Sequence, residues 1–121
     1  MQFYAYKGEM RRDVYHKTAQ YYGLFSHPAR LQILNELRWG EACVCHLQTV
    51  LGRPQAYVSQ QLRVLREADV VTDRKDGLLV FYRLNDRRVE RLLEEVFGPT
   101  GDLARLPDCP CPKCSPEVSC A

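Results

Sequence analysis

Nowhere in the 121 residues does an apolar run approach the roughly 18 that a membrane span needs. The segment Met1 to Asp13 is aromatic and charged and has no apolar stretch, so it is not expected to be a secretory leader. The chain is therefore expected in the cytoplasm. A phosphate-binding glycine loop is missing, as are a Ser/His/Asp pattern in a suitable context and metal ligands beside a catalytic carboxylate. Neither an enzyme nor an organic cofactor is therefore expected. Charge of one sign is also scarce: the net charge of +2 is too small to mark a nucleic-acid binder, so its distribution has to decide. No internal repeat is visible, and the length suits one domain.

Cysteine, by contrast, is plentiful, at six residues. In a reducing cytoplasm disulfides are rare, and clustered cysteines more often bind metal or sense redox state. Two of the six form Cys43-Val44-Cys45. The other four, Cys109, Cys111, Cys114 and Cys120, share the segment from Pro107 to Cys120 with four of the seven prolines. That segment has no periodicity and is expected to be extended or disordered unless something ties it down.

Apolar spacing predicts helices over most of the rest. Val14, Ala19, Tyr22 and Phe25 mark a first helix, and Pro28 opens a second that carries Leu31, Leu34 and Leu37 and ends at Gly40. A short helix is expected over about Ala42 to Leu51, stopped by Gly52-Arg53-Pro54. The next runs over about Gln55 to Glu67, with Val58, Leu62 and Leu65 at i, i+4 and i+7. Two short helices around a glycine-containing turn suit a helix-turn-helix. Val70 to Arg74 and Leu78 to Leu84 read as a hairpin about Lys75-Asp76-Gly77. Val80, Tyr82 and Leu84 share one face of it. Asn85 is the expected cap of a last helix that carries Val89, Leu92, Leu93 and Val96 and ends at Phe97-Gly98-Pro99. The order α-α-α-α-β-β-α is a mainly α winged helix-turn-helix. It divides the chain into an N-terminal extension (1–13), a winged-helix DNA-binding and dimerisation domain (14–98) and a flexible, metal-binding Cys/Pro-rich tail (99–121).

On the fourth helix Val58, Leu62 and Leu65 turn to the core, which leaves Gln55, Tyr57, Ser59, Gln60 and Arg63 outward. Gln and Arg carry paired donors and acceptors that suit adenine and guanine edges in the major groove, and Ser suits bases or phosphates. Arg53 precedes this helix, and Arg74 and Lys75 lie at the expected wing tip, where cations hold phosphates. Taken alone, such a polar stripe is most often a solvated face. Within a helix-turn-helix followed by a wing, it reads as a surface for double-stranded operator DNA.

Phe25-Ser26-His27-Pro28-Ala29-Arg30-Leu31-Gln32-Ile33-Leu34 resembles the second-helix signature of the ArsR/SmtB family of metal-responsive repressors. Glu41-Ala42-Cys43-Val44-Cys45-His46-Leu47 resembles the thiol motif of its arsenite and cadmium/lead sensors. Val58 to Glu67 is similar to its recognition helix, with Gln61 where family members typically have His. The resemblance covers about residues 18 to 97. It implies a homodimer through the terminal helices, although Tyr15, Ala19, Tyr22 and the stripe of the last helix suit the domain's own core equally well.

On a regular helix Cys43 and Cys45 lie about 200° apart, so they can share one ion only if the helix start unwinds or has not yet formed. Coordination there distorts the turn beside the recognition helix, which couples the thiols to DNA binding. Arsenite takes three thiolates, and cadmium, lead or zinc take three or four. The position of a third cysteine in many arsenite sensors is Gln48 here, and no cysteine precedes Cys43. Cys109, Cys111, Cys114 or Cys120, from the same or the partner subunit, is then expected to complete the site. As(III) is the first choice of inducer, and Cd(II) or Pb(II) the second. Other readings are a thiol-redox or persulfide sensor that pairs Cys43 or Cys45 with a tail cysteine, a sequestering protein that does not use DNA, and two cysteines packed as small apolar side chains. The last helix has no His, which argues against a zinc or nickel site there. His46, beside the pair, is expected to face solvent, with a nitrogen-ligand role as the alternative.

Overall fold

The computed structural model describes residues 8 to 100, with side chains from residue 12 onward. The elements are α1 (Gly8–Gly23), α2 (Pro28–Leu37), β1 (Ala42–Cys43), α3 (Val44–Leu51), α4 (Gln55–Glu67), β2 (Val71–Asp76), β3 (Leu79–Leu84) and α5 (Arg87–Phe97). α1 starts ahead of Val14, because the apolar pattern marks only the part of a helix that packs, not the full run of helix-forming residues. Pro28 stands in the first turn of α2, and His27 Nδ1 caps it by accepting from the Ala29 N–H at 3.3 Å. Gly52, at φ 65°, closes α3 in the left-handed conformation that glycine adopts without a steric penalty.

Three differences from the sequence reading bear on function. Ala42 and Cys43 do not start a helix; they form β1, antiparallel to β3 with Ala42 opposite Tyr82 and Cys43 opposite Phe81. The sheet order is β1-β3-β2, so the hairpin carries a third strand on its far edge. Lys75 and Asp76 lie within β2, and the turn is the two-residue Gly77-Leu78, with Asp76 opposite Leu79. Asp86, not Asn85, caps α5, because its carboxylate accepts from the Arg88 N–H at 2.9 Å while the Asn85 side chain donates to the Asp69 carbonyl at 3.3 Å.

The main core joins Ile33 and Leu34 of α2, Leu47 of α3, Val58, Leu62 and Leu65 of α4, and Val89 and Leu93 of α5. Tyr82, with Val80 and Leu84 beside it, closes this core from the sheet, as the alternation along β3 predicts. The opposite face of β3 is covered too. There Phe81 and Cys43 form a second buried cluster against which Leu79 and Cys45 pack. No described helix is long and apolar enough to cross a membrane.

Candidate nucleic-acid interface and thiol site

α4 is anchored by Val58, Leu62 and Leu65, all fully buried, and this turns its other side outward. Gln55, Gln60 and Arg63 are exposed, and Tyr57 and Ser59 are half-buried. Arg53, just before the helix, places its guanidinium 3.9 Å from the centre of the Tyr57 ring, a cation–π stack that orders both at the helix N-terminus. Between α4 and the wing lies a cleft of about 340 Å³ lined by Ala56, Ser59, Gln60, Arg63, Arg66 and Tyr82. Arg66 spans it to Asp73 of β2 at 2.9 Å. Burial, followed by the neighbouring Asp73 charge, pushes the Tyr82 phenol above its ordinary pKa.

Lys75 is exposed on β2. Arg74 is placed differently from its expected role at the wing tip. Its Nε and Nη2 each donate to a Glu41 carboxylate oxygen at 2.6 Å, and Nη1 lies 3.7 Å from Asp76. In this state its donors are turned to carboxylates, because the β1–β3 pairing brings Glu41 within reach of Arg74 across β3.

Gln61, where the resembling family typically has His, stands behind the outward face of α4 and not on it. It is buried, and its Oε1 accepts from Arg30 Nε of α2 at 2.8 Å. That bond fixes the rotation of α4 relative to the helix before the helix-turn-helix.

On the thiol side, Cys43 is buried in extended backbone, φ −88° and ψ 169°, immediately before α3. Cys45 stands in the first turn of α3, half-buried and disulfide-bonded. Only Cys45 is therefore helical, and both residues pack on the Phe81 cluster. The pair therefore straddles a strand-to-helix junction and does not lie on one continuous helix. Among the described residues no group of three or more His, Cys, Asp or Glu side chains is placed to hold a metal ion. The other expected ligands, Cys109, Cys111, Cys114 and Cys120, lie outside the described residues. His46 corrects an expectation. It is not solvent-facing but fully buried, with Nε2 2.7 Å from Glu36 Oε2 of α2.

At the opposite end, α1 and α5 frame a groove of about 690 Å³ lined by Lys17, Tyr21, Tyr22, Arg88, Leu92 and Glu95. Val89 and Leu93 go to the core, whereas Tyr15, Tyr22, Val96 and Phe97 are exposed. The Tyr21 hydroxyl donates to Asp86 Oδ2 at 2.8 Å, and the Arg88 guanidinium lies 4.5 Å from the Tyr21 ring centre. Burial pushes Asp86 upward, but bonds from Tyr21 and from the Arg88 side chain and backbone outweigh it and hold the carboxyl below its ordinary pKa.

Residues 27–73 match the family model described as bacterial regulatory protein, arsR family. An HTH-type transcriptional regulator of Methanocaldococcus jannaschii is 37% identical over 85 residues, covering 69% of this chain and 96% of that protein. The chain spans about two thirds of the length of further curated relatives it matches. Among solved structures, the transcriptional repressor BigR from Xylella fastidiosa is similar at TM-score 0.64 and 31% identity, covering 81% of this chain and 100% of that one. A homodimeric winged helix-turn-helix DNA-binding domain from Mycobacterium bovis matches at TM-score 0.66 and 27% identity, covering 76% of this chain and 85% of that one.

Proposed function

Because the chain belongs to the arsR family of bacterial regulatory proteins, we propose that it is a DNA-binding transcriptional repressor whose hold on its operator is governed by the thiols at the β1–α3 junction. α4 is the reading helix: Gln55, Gln60 and Arg63 face base edges, Arg53 stacked on Tyr57 faces the backbone at the helix start, and Lys75 faces phosphate from the wing. Two copies joined through α1 and α5 read half-sites about 34–36 Å apart. The exposed Tyr15, Tyr22, Val96 and Phe97 support that dimer, as does the homodimeric Mycobacterium bovis relative.

As(III) is the inducer this reading favours, with Cd(II) or Pb(II) second. Arsenite would supply a soft centre that favours thiolates as ligands. Cys43 and Cys45 provide two of these, and a tail cysteine (Cys109, Cys111, Cys114 or Cys120) the third. The observation that carries the reading is the position of Cys43, one residue outside α3 and paired with Phe81, while Cys45 is already helical. Drawing the two sulfurs together unwinds the first turn of α3, and α3 packs on α4. Both sites then bias one two-state element, which is what allosteric coupling needs.

The disulfide at Cys45 favours a second reading, thiol oxidation as the signal at the same junction. Fluorescence anisotropy of the reduced protein on its own upstream duplex separates the two. Release by As(III) at about one ion per subunit, lost in Cys43→Ser, supports the first reading. Tight binding that is released by diamide but unmoved by As(III), Cd(II) or Pb(II) replaces it with the second.

A further inference from the structure

Two adjacent residues of β2 point to opposite faces and each holds an ion pair. Asp73 accepts from Arg66 of α4 at 2.9 Å, and Arg74 donates to both oxygens of Glu41 at 2.6 Å. The Arg74 guanidinium also lies 5.0 Å from the centre of the Phe81 ring, and Phe81 is the residue paired with Cys43. Two carboxylates, Glu41 and Asp76, therefore face the one guanidinium on a strand of the wing. Glu41 stands just before β1, on the same short stretch as Cys43.

We propose that Glu41 is an internal competitor for DNA phosphate: its carboxylate occupies the fork of Arg74, and Arg74 engages the DNA backbone only when Glu41 releases it. The inference rests on the DNA-binding reading above and adds to it a residue that opposes binding. A carboxylate and a phosphate present the same bidentate oxygens to a guanidinium, so either fits the same fork. Glu41 is tethered within the chain and so competes at high effective concentration. The side chains of Arg74 and Glu41 are 48% and 32% exposed, which keeps the fork at the solvent boundary, open to a phosphate once Glu41 leaves it. Because the competitor immediately precedes the strand that carries Cys43, a shift of β1 moves it relative to Arg74.

The test is a double-mutant cycle of Glu41→Gln and Arg74→Gln in the reduced full chain, read by anisotropy across a salt series. The probes are the upstream duplex and a mixed-sequence duplex. Glu41→Gln is expected to bind both duplexes roughly fivefold more tightly near 0.1 M salt and to steepen the log–log salt slope by about 0.9, the signature of one added phosphate contact. Arg74→Gln alone should change little, and in its background the Glu41→Gln gain should vanish. An unchanged or weaker Glu41→Gln complex overturns the proposal. So does an equal gain in the Arg74→Gln background, which reports only the removal of a negative charge, or a large loss on Arg74→Gln alone. Failure of the wild-type chain to bind either duplex overturns the DNA-binding reading instead.

Discussion

His46 Nε2 lies 2.7 Å from Glu36 Oε2, so a fully buried imidazole ties the helix that begins beside the thiols to α2. His46→Ala empties a buried site and removes one half of that contact, at an expected cost of about 2–4 kcal/mol. Glu36→Gln keeps an acceptor in place and should cost about 1 kcal/mol. Urea unfolding with an unchanged m-value measures both, and a His46→Ala midpoint equal to wild type would contradict the structural role.

Stability should depend on pH through Tyr21 and Asp86, which join α1 to the cap of α5. Burial, then the hydrogen bond to Asp86, raises the Tyr21 pKa from 10.0 to about 12. A raised folded pKa gives stability that is complete below the unfolded value, so it should fade as pH climbs from about 10 to about 12. Asp86 is shifted downward, so its contribution is present above the ordinary carboxyl pKa of 3.8 and is lost as pH falls through the lower folded value. Tyr21→Phe should lower stability by about 0.5–1.5 kcal/mol at neutral pH and flatten the alkaline loss. Denaturant midpoints across the pH range check this.

Base reading and backbone holding should separate by mutation. Gln60→Ala is expected to cost about 1–3 kcal/mol on the operator and little on mixed-sequence DNA. Lys75→Ala should weaken both nearly equally and reduce the salt slope by about one. A Gln60→Ala loss that is equal on the two duplexes would remove this residue from base reading.

The exposed residues of α1 and α5 should govern assembly. Tyr22→Asp, which puts a charge on an exposed aromatic surface, is expected to convert dimer to monomer with the far-ultraviolet dichroism unchanged. Sedimentation velocity reads the outcome, and an unaltered sedimentation coefficient would place the dimer contact elsewhere.

The faces of α4 were legible from sequence because Val58, Leu62 and Leu65 recur at helical spacing and nothing in their neighbourhood opposes it. The alternation along β3 was legible for the same reason, down to Tyr82 in the main core and Phe81 opposite it. The two cysteines were legible as a close pair but not as a geometry. An apolar stretch from Ala42 to Leu51 scores as helix throughout, and only the edge of β3 draws its first two residues into a strand. The pairing of Arg74 was not legible, because a basic residue near a turn looks the same whether or not a carboxylate 33 residues away is brought within reach of it.

The sequence by itself determined the helix-turn-helix, the wing and the outward side chains of α4, because these follow from spacing and turn chemistry among near neighbours, and its motifs carried the resemblance to the family. Tertiary structure alone decided that His46 is buried against Glu36, that Arg30 holds Gln61, and that Glu41 holds Arg74. Their partners lie 10, 31 and 33 residues apart. Burial and pairing of a polar side chain depend on what the finished fold lays over it, and no local pattern records that.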